Sequence, residues 1–409
     1  MPRLLLAALM GLASLLGSPA RAQDTTLTRL LRRHQYPLQP GGSSFSGVGW
    51  ERLLADVRKS QFVLLGEDHG IAQIPLFAAA VARELRPVLY VGEVDPYVAR
   101  KLTELTAQPG EPTAYLRRYP SALCFGAMAE EFALLRQLRT QGVRLAGIDQ
   151  VFAASAAPVY TQLAGLVQDR AARAYFARQA ARYHAQDQLN SRQHNQYYAL
   201  PKQTPGSIDS LLALTKAESA ATQQLAQAYA TSYHIYTDRG GDNHQQRLNL
   251  MRRNLLREMQ PYQTAAGLAT PTVLVKMGGV HLARGLSPIG FGDYYDVGNL
   301  VQNLADVQDK QSLHILILGK QGHRLATLNP DNKERLSIPY TEADYDDDVP
   351  VRQFTDQVSG AAWSAFDLRP LREALRTGKL QVAKQALQRV VFGYDYLVVI
   401  PETTASRPL

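Results

Sequence analysis

Six short apolar runs, each closed by a glycine or a charged turn, constrain this chain more than any other feature. FVLLG (62–66) runs into Glu67 and His69, and VLYVG (88–92) into Glu93 and Asp95. VRLAGI (143–148) leads to Asp149, TVLVKMGG (272–279) to His281, LHILILGK (313–320) to Gln321 and His323, and YLVVIP (396–401) to Glu402. Each run is the length of a strand and too continuously apolar to have one face in water. Between the first three lie helical patterns, IPLFAAAVARELR (74–86) and MAEEFALLRQLRTQG (128–142), the second closing at Gly142. Strand alternating with helix predicts an α/β fold with a central, largely parallel sheet flanked by helices. Ligands of such sheets bind beyond the carboxyl ends of the strands, where the acids and histidines of this chain accumulate.

The remaining segments organise around that sheet. Arg3 followed by LLLAALMGLASLLGS and SPARAQ reads as a secretory signal peptide (1–22) cut after Ala22. The apolar run is short for a membrane span, and no cysteine follows it to be acylated. The expectation is a secreted or periplasmic protein with no stable membrane insertion after cleavage. Residues 23–409 then form a single α/β domain. From about 153 to 262 alanine, glutamine, arginine and leucine dominate, which predicts an all-helical insertion forming a cap over the sheet. Within it, YHAQDQLNSRQHNQYY either lines a pocket or is amphipathic helix surface. Tyr36 to Gly49 is a Pro/Gly/Ser-rich lead-in, and EADYDDDVP (342–350) is a solvated acidic loop without EF-hand spacing. A net charge of +8, spread along the chain, does not suggest a nucleic-acid partner. Cys124, the single cysteine, excludes an internal disulfide and sits in the apolar ALCFGAM as a small core residue.

Hydrolytic signatures such as G-x-S-x-G, H-E-x-x-H and C-x-x-C are absent. What stands out is a pair of G-x-x-H turns, Gly66 to His69 and Gly278 to His281, each directly after an expected strand. Glycine lets the backbone turn sharply, and the strand carries the histidine rigidly into the crevice. With Glu93 ending the neighbouring strand, Glu67, His69, Glu93 and His281 are the candidate catalytic residues. One mechanism needs no cofactor: His69 acts as general base on water, oriented by Glu67 or Glu93, while His281 or an arginine steadies the oxyanion. The other places one divalent metal on His69, Glu93 and His281. The alternative is that both histidines merely cap ordinary turns. In DNHQQRLNLMRRNLLREM (242–259), Arg247, Met251 and Asn254 share one helix face. Arg247 and Asn254, with Arg284 shortly after His281, are candidates for binding substrate oxygens. Against this, Leu248, Leu250, Met251 and Leu255 can form the buried stripe with the arginines in water.

LGEDHG, GEVD after the next strand, the Arg247–Met251–Asn254 helix and the late His281 turn together resemble the erythromycin esterase-like family. SPIGFGDYYDVG (287–298), FDLRPL (366–371) and FGYDYLVVIPETTAS (392–406) are similar to later segments of that family. Two departures stand out: GEDHG is one residue shorter than the family's turn, and KMGGVHL has one histidine where the esterases have two. Both turns are closer to the paired G-x-x-H of the wider Tiki-type clan, which includes metal-dependent peptidases and haem-uptake lipoproteins. The resemblance implies a hydrolase of ester or amide bonds acting on a small molecule or peptide. A second expectation is a periplasmic haem- or metal-binding protein using the same histidines, and a third is a member that keeps the scaffold without the chemistry.

Overall fold

The computed structural model describes residues 19–193, 198–264, 267–268, 271–288, 292–329, 331–345 and 351–409. The apolar run of the expected signal peptide therefore lies outside the described residues, and Ala22 falls early in the first helix, Pro19–Arg33. Among the described residues no helix is long and apolar enough to cross a membrane.

The strands are β1 (Gln35–Gly41), β2 (Ser44–Ser46), β3 (Phe62–Glu67), β4 (Leu89–Gly92), β5 (Arg144–Gly147), β6 (Gln263–Thr264), β7 (Gly267–Leu268), β8 (Val273–Gly278), β9 (Ser312–Arg324), β10 (Ile338–Thr341), β11 (Trp363–Asp367) and β12 (Tyr396–Thr403). Ten of them make one sheet in the order β2-β1-β11-β12-β9-β3-β8-β4-β5, with β10 added to β9, while β6 and β7 pair only with each other. From β12 to β5 every neighbouring pair is parallel, and all six strands expected from the sequence are in this stretch. Phe62 and Leu64 point into one buried cluster and Val63 and Leu65 into the other, which is why β3 is apolar at consecutive positions. The fold is α/β, as expected.

Three features differ from the expectation. β8 lies between β3 and β4, so Glu93 ends the next strand but one from His69 rather than its neighbour. The lead-in 36–49 is structured: β1 pairs with β11 antiparallel at the sheet's margin and β2 extends it. Near a sheet margin Pro37 and Pro40 are tolerated, because fewer ladder bonds depend on their missing N–H groups. Residues 346–350 of the acidic loop lie outside the described residues, but Glu342 at its start is buried rather than solvated.

Five α-helices follow β5: Ala156–Leu166, Arg170–Arg192, Pro205–Thr215, Ala220–Thr237 and Asn243–Met259. The first four bury Tyr160, Phe176, Leu211, Leu225 and Tyr229 in a core of their own. The fifth buries Leu248, Met251 and Leu255 against Val273, Val275 and Met277, in the core of the sheet. The helical insertion thus divides into a four-helix cap and one helix that belongs to the body.

Candidate active site

The register of β3 on β8 sets Gly66 opposite Met277 and Glu67 opposite Gly278, so the two G-x-x-H turns leave the sheet side by side. Glu93, just past β4, reaches across to them. Its Oε2 accepts the Gly278 N–H at 2.6 Å and its Oε1 accepts Arg247 Nη2 at 2.9 Å. His69 Nε2 lies 3.3 Å from Oε2 and His281 Nε2 lies 3.4 Å from Oε1. The other nitrogen of each ring also meets a carboxylate: His69 Nδ1 is 3.0 Å from Glu67 Oε1, and His281 Nδ1 is 2.6 Å from Asp296 Oδ2. All four expected catalytic residues therefore converge.

Glycine at 278 lets His69 and Glu93 pack closely over the turn. A Cβ there would stand 3.2 Å from His69 Nε2 and 3.3 Å from Glu93 Oε2, closer than the neighbours accept without moving. A second histidine at that position would require the His69 or Glu93 side chain to shift by a few tenths of an ångström. A different imidazole comes near instead: His244, on the helix Asn243–Met259, stacks at 6.3 Å from the His281 ring.

Beneath His69 lies a charged residue that sequence reasoning missed. Lys276, within β8 and 3% exposed, places Nζ 2.7 Å from the same Glu67 oxygen that meets His69, and also bonds Glu131 at the start of the helix Ala129–Thr140. A lysine inside an apolar strand run carries a signal in hindsight, since a buried ammonium requires a carboxylate partner. Asp296 was missed as well, although DYYDVG had been singled out. Asp68 turns away from these groups, and Tyr340 Oη donates to its Oδ2 at 2.5 Å.

The substrate-binding candidates land elsewhere. Arg247 engages Asp149 through Nε and Nη2 at 2.9 and 2.6 Å as well as Glu93, so its guanidinium braces acids. Asn254 is buried and donates to the Ile148 carbonyl at 2.8 Å, tying its helix to the end of β5. Arg284 pairs with Asp395, whose Oδ2 also accepts the His314 N–H at 3.0 Å at the amino ends of β9 and β12. It lies at the opposite end of the sheet because the chain after His281 runs back along the strands. Met251 joins the core, as the apolar-stripe reading had it.

Of the four converging residues, His69 is the one with a substantially exposed side chain. Its side chain is 30% exposed, stacks on Phe125 at 3.9 Å, and lines a cavity of about 450 Å³. The insertion contributes Asp187, Asn190 and Tyr198 to its lining, and the segment from Arg324 to Arg335 contributes much of the rest. The YHAQDQLNSRQHNQYY stretch thus does contribute to a pocket; its residues 194–197 lie outside the described residues. Cys124 also borders the cavity, but burial pushes its thiol up, away from nucleophilic character.

The electrostatics follow from packing acids around imidazoles. Burial works against the charge on His69, but Glu93 and Glu67 outweigh it and hold the imidazolium, pushing the pKa up to about 10. His281 is pushed up to about 10 in the same way, against burial, by Asp296 and Glu93. Burial likewise opposes the ionised form of Glu93, yet the two histidines keep it well below the usual carboxylate range. Burial also opposes ionised Glu67, yet Lys276 and His69 hold it below its ordinary value.

The donor set does not suit a metal on His69, Glu93 and His281. Glu93 already binds Arg247 and the Gly278 amide, and each Nε2 is at hydrogen-bonding distance from it. Among the described residues no group of three or more His, Cys, Asp or Glu side chains is arranged to hold a metal ion. Axial ligation of haem meets the same obstacle, since both nitrogens of each ring face carboxylates.

Two outcomes follow. Lys276→Met leaves two buried carboxylates without their cation and should lower stability by about 3–5 kcal/mol in denaturant unfolding. Adding Glu131→Gln should recover part of that loss. The raised His69 and His281 values stabilise the fold fully below about pH 6.5, the ordinary imidazole value. That contribution is lost as pH climbs through about 10. Melting temperature should therefore fall from pH 7 to pH 10, and His281→Gln should fall less steeply than wild type over the same range.

No family model and no curated protein matches the chain. Solved structures do resemble it. A succinoglycan biosynthesis protein superposes with a TM-score of 0.58 at 13% identity, over 95% of this chain and 99% of the other. A Bacillus cereus protein does so at 0.56 and 15% identity, over 94% and 99%. An erythromycin esterase mutant, EreC in its open conformation, gives 0.52 at 14% identity, over 87% and 94%. At these identities the likeness establishes fold: over most of its length the chain has the α/β fold of the erythromycin esterase structure.

Proposed function

We propose that this chain is an exported hydrolase of ester or amide bonds, a member of the erythromycin esterase-like family, with His69 as its general base. The observation that carries the reading is the convergence of two G-x-x-H turns on Glu93, with His69 alone at the cavity wall. The fold shared with an erythromycin esterase supports the hydrolase class as fold-level analogy. The expectation of export rests on the signal-peptide pattern.

In the working form His69 is neutral and keeps its Nδ1–H on Glu67. Its Nε2 lone pair then faces the Glu93 carboxylate at 3.3 Å and is repelled by it, which favours a turn of the ring toward the cavity. That lone pair takes a proton from water as the water oxygen attacks the substrate carbonyl carbon. The imidazolium so formed is the state Glu67 and Glu93 stabilise, and it returns its Nε2 proton to the departing alkoxide or amine as the carbonyl re-forms. Arg247 and His281 act one step removed, by holding Glu93 in place. The reaction as written requires no metal.

A base with a pKa near 10 is mostly protonated at neutral pH. With 4-nitrophenyl esters or anilides, kcat/KM should therefore rise with pH well beyond the usual imidazole range. Glu93→Gln should move that limb toward neutrality, and His69→Ala should lower kcat/KM by about 10²–10⁴. Turnover that survives intact in His69→Ala would sink the assignment.

A further inference from the structure

The cap wall of the cavity carries a carboxylate that nothing else in the fold uses. Asp187, on the helix Arg170–Arg192, lines the same cavity as His69, and no hydrogen bond or ion pair engages it among the described residues. Burial, with no compensating charge, pushes its carboxyl up to about 7. One helical turn on, Asn190 is 6% exposed and also lines the cavity. Its Oδ1 accepts Gln186 Nε2 at 3.2 Å, while Nδ2 is buried without a partner. Three residues apart on one helix face, the two side chains start from Cβ atoms about 5–6 Å apart. Beside a cavity such groups are satisfied by water or by a ligand that displaces it.

Neither Arg324, Arg335 nor the His69 imidazolium, which line the same cavity, forms an ion pair with Asp187 among the described residues. Arg324 lies over the Tyr340 ring beside Asp68, and Arg335 is exposed at the rim. Phe125, Phe152 and Tyr198 also line the same space.

Resting on the reading of this cavity as the substrate site, we propose that its ligand carries a protonated amine held by Asp187, with a nearby hydroxyl or carbonyl oxygen held by Asn190. The aromatic residues take the adjoining apolar part. Asp187 and Asn190 thus select which ester or amide is presented to His69, and neither takes part in proton transfer.

The test uses the full mature chain at pH 8 with a matched pair of probes, 2-amino-1-phenylethanol and its amine-free analogue 1-phenylethanol, titrated by calorimetry. A charge-assisted contact should make the amine bind about ten- to a hundredfold tighter. Asp187→Asn, which keeps the shape, should abolish that preference, and Asn190→Ala should weaken it. Equal binding of the two probes, or a preference that persists in Asp187→Asn, overturns the proposal. The readout is separate from turnover: amine preference in a protein inert toward esters would sink the hydrolase reading alone, and hydrolysis without amine preference would sink this one alone. Asp187→Asn should also melt no lower than wild type, which distinguishes lost recognition from lost folding.

Discussion

One carboxylate ties the site together. Glu93 is approached by the Gly278 amide from β8, by Arg247 from the helix Asn243–Met259, and by His69 and His281 from the two strand-end turns. These groups come from positions separated by up to about two hundred residues along the chain. A buried carboxylate with this many donors has no comparable alternative position, so it fixes where the turns and the helix sit relative to one another. The glycine at 278 belongs to the same constraint, because a side chain there would crowd the space in which His69 and Glu93 meet.

Around Glu93 the charges alternate in a nearly continuous series. Glu131, Lys276, Glu67, His69, Glu93 and His281 each contact the next, and Asp296 closes the far end while Arg247 and Asp149 branch from the middle. Taking so many ionised groups out of water is unfavourable group by group and is offset here by pairing each acid with a cation. Such a network stabilises less than an apolar core of equal volume would. Its effect is to set protonation states: the same acids that make His69 a strong base also keep it protonated at neutral pH.

The insertion serves two ends. Its last helix is packed into the sheet core through Leu248, Met251 and Leu255 and carries Arg247 to Glu93. The four helices before it have their own core around Tyr160 and Phe176, and one of them, Arg170–Arg192, lines the cavity that His69 borders. Proton chemistry therefore resides on strand ends held by the sheet, while groups that line the same cavity come from a separately packed cap. Such a division lets the cap vary its lining without disturbing Glu93 and its partners.

The sequence by itself determined the layered α/β class, the six central strands and the turns bearing Glu67, His69, Glu93 and His281. These are local properties: apolar runs of strand length and glycines at sharp turns leave marks within a few neighbouring residues. The margin strands β1 and β2 were less legible, because prolines near a sheet margin look like a loop. Only the tertiary structure decided that β8 stands between β3 and β4, and with it the meeting of the two G-x-x-H turns. It also turned Arg247 toward acids, sent Arg284 to the opposite end of the sheet, and placed Lys276 under Glu67. Strand order and the partners of buried charges depend on contacts across long stretches of chain, and such pairings leave no period in the residues that make them.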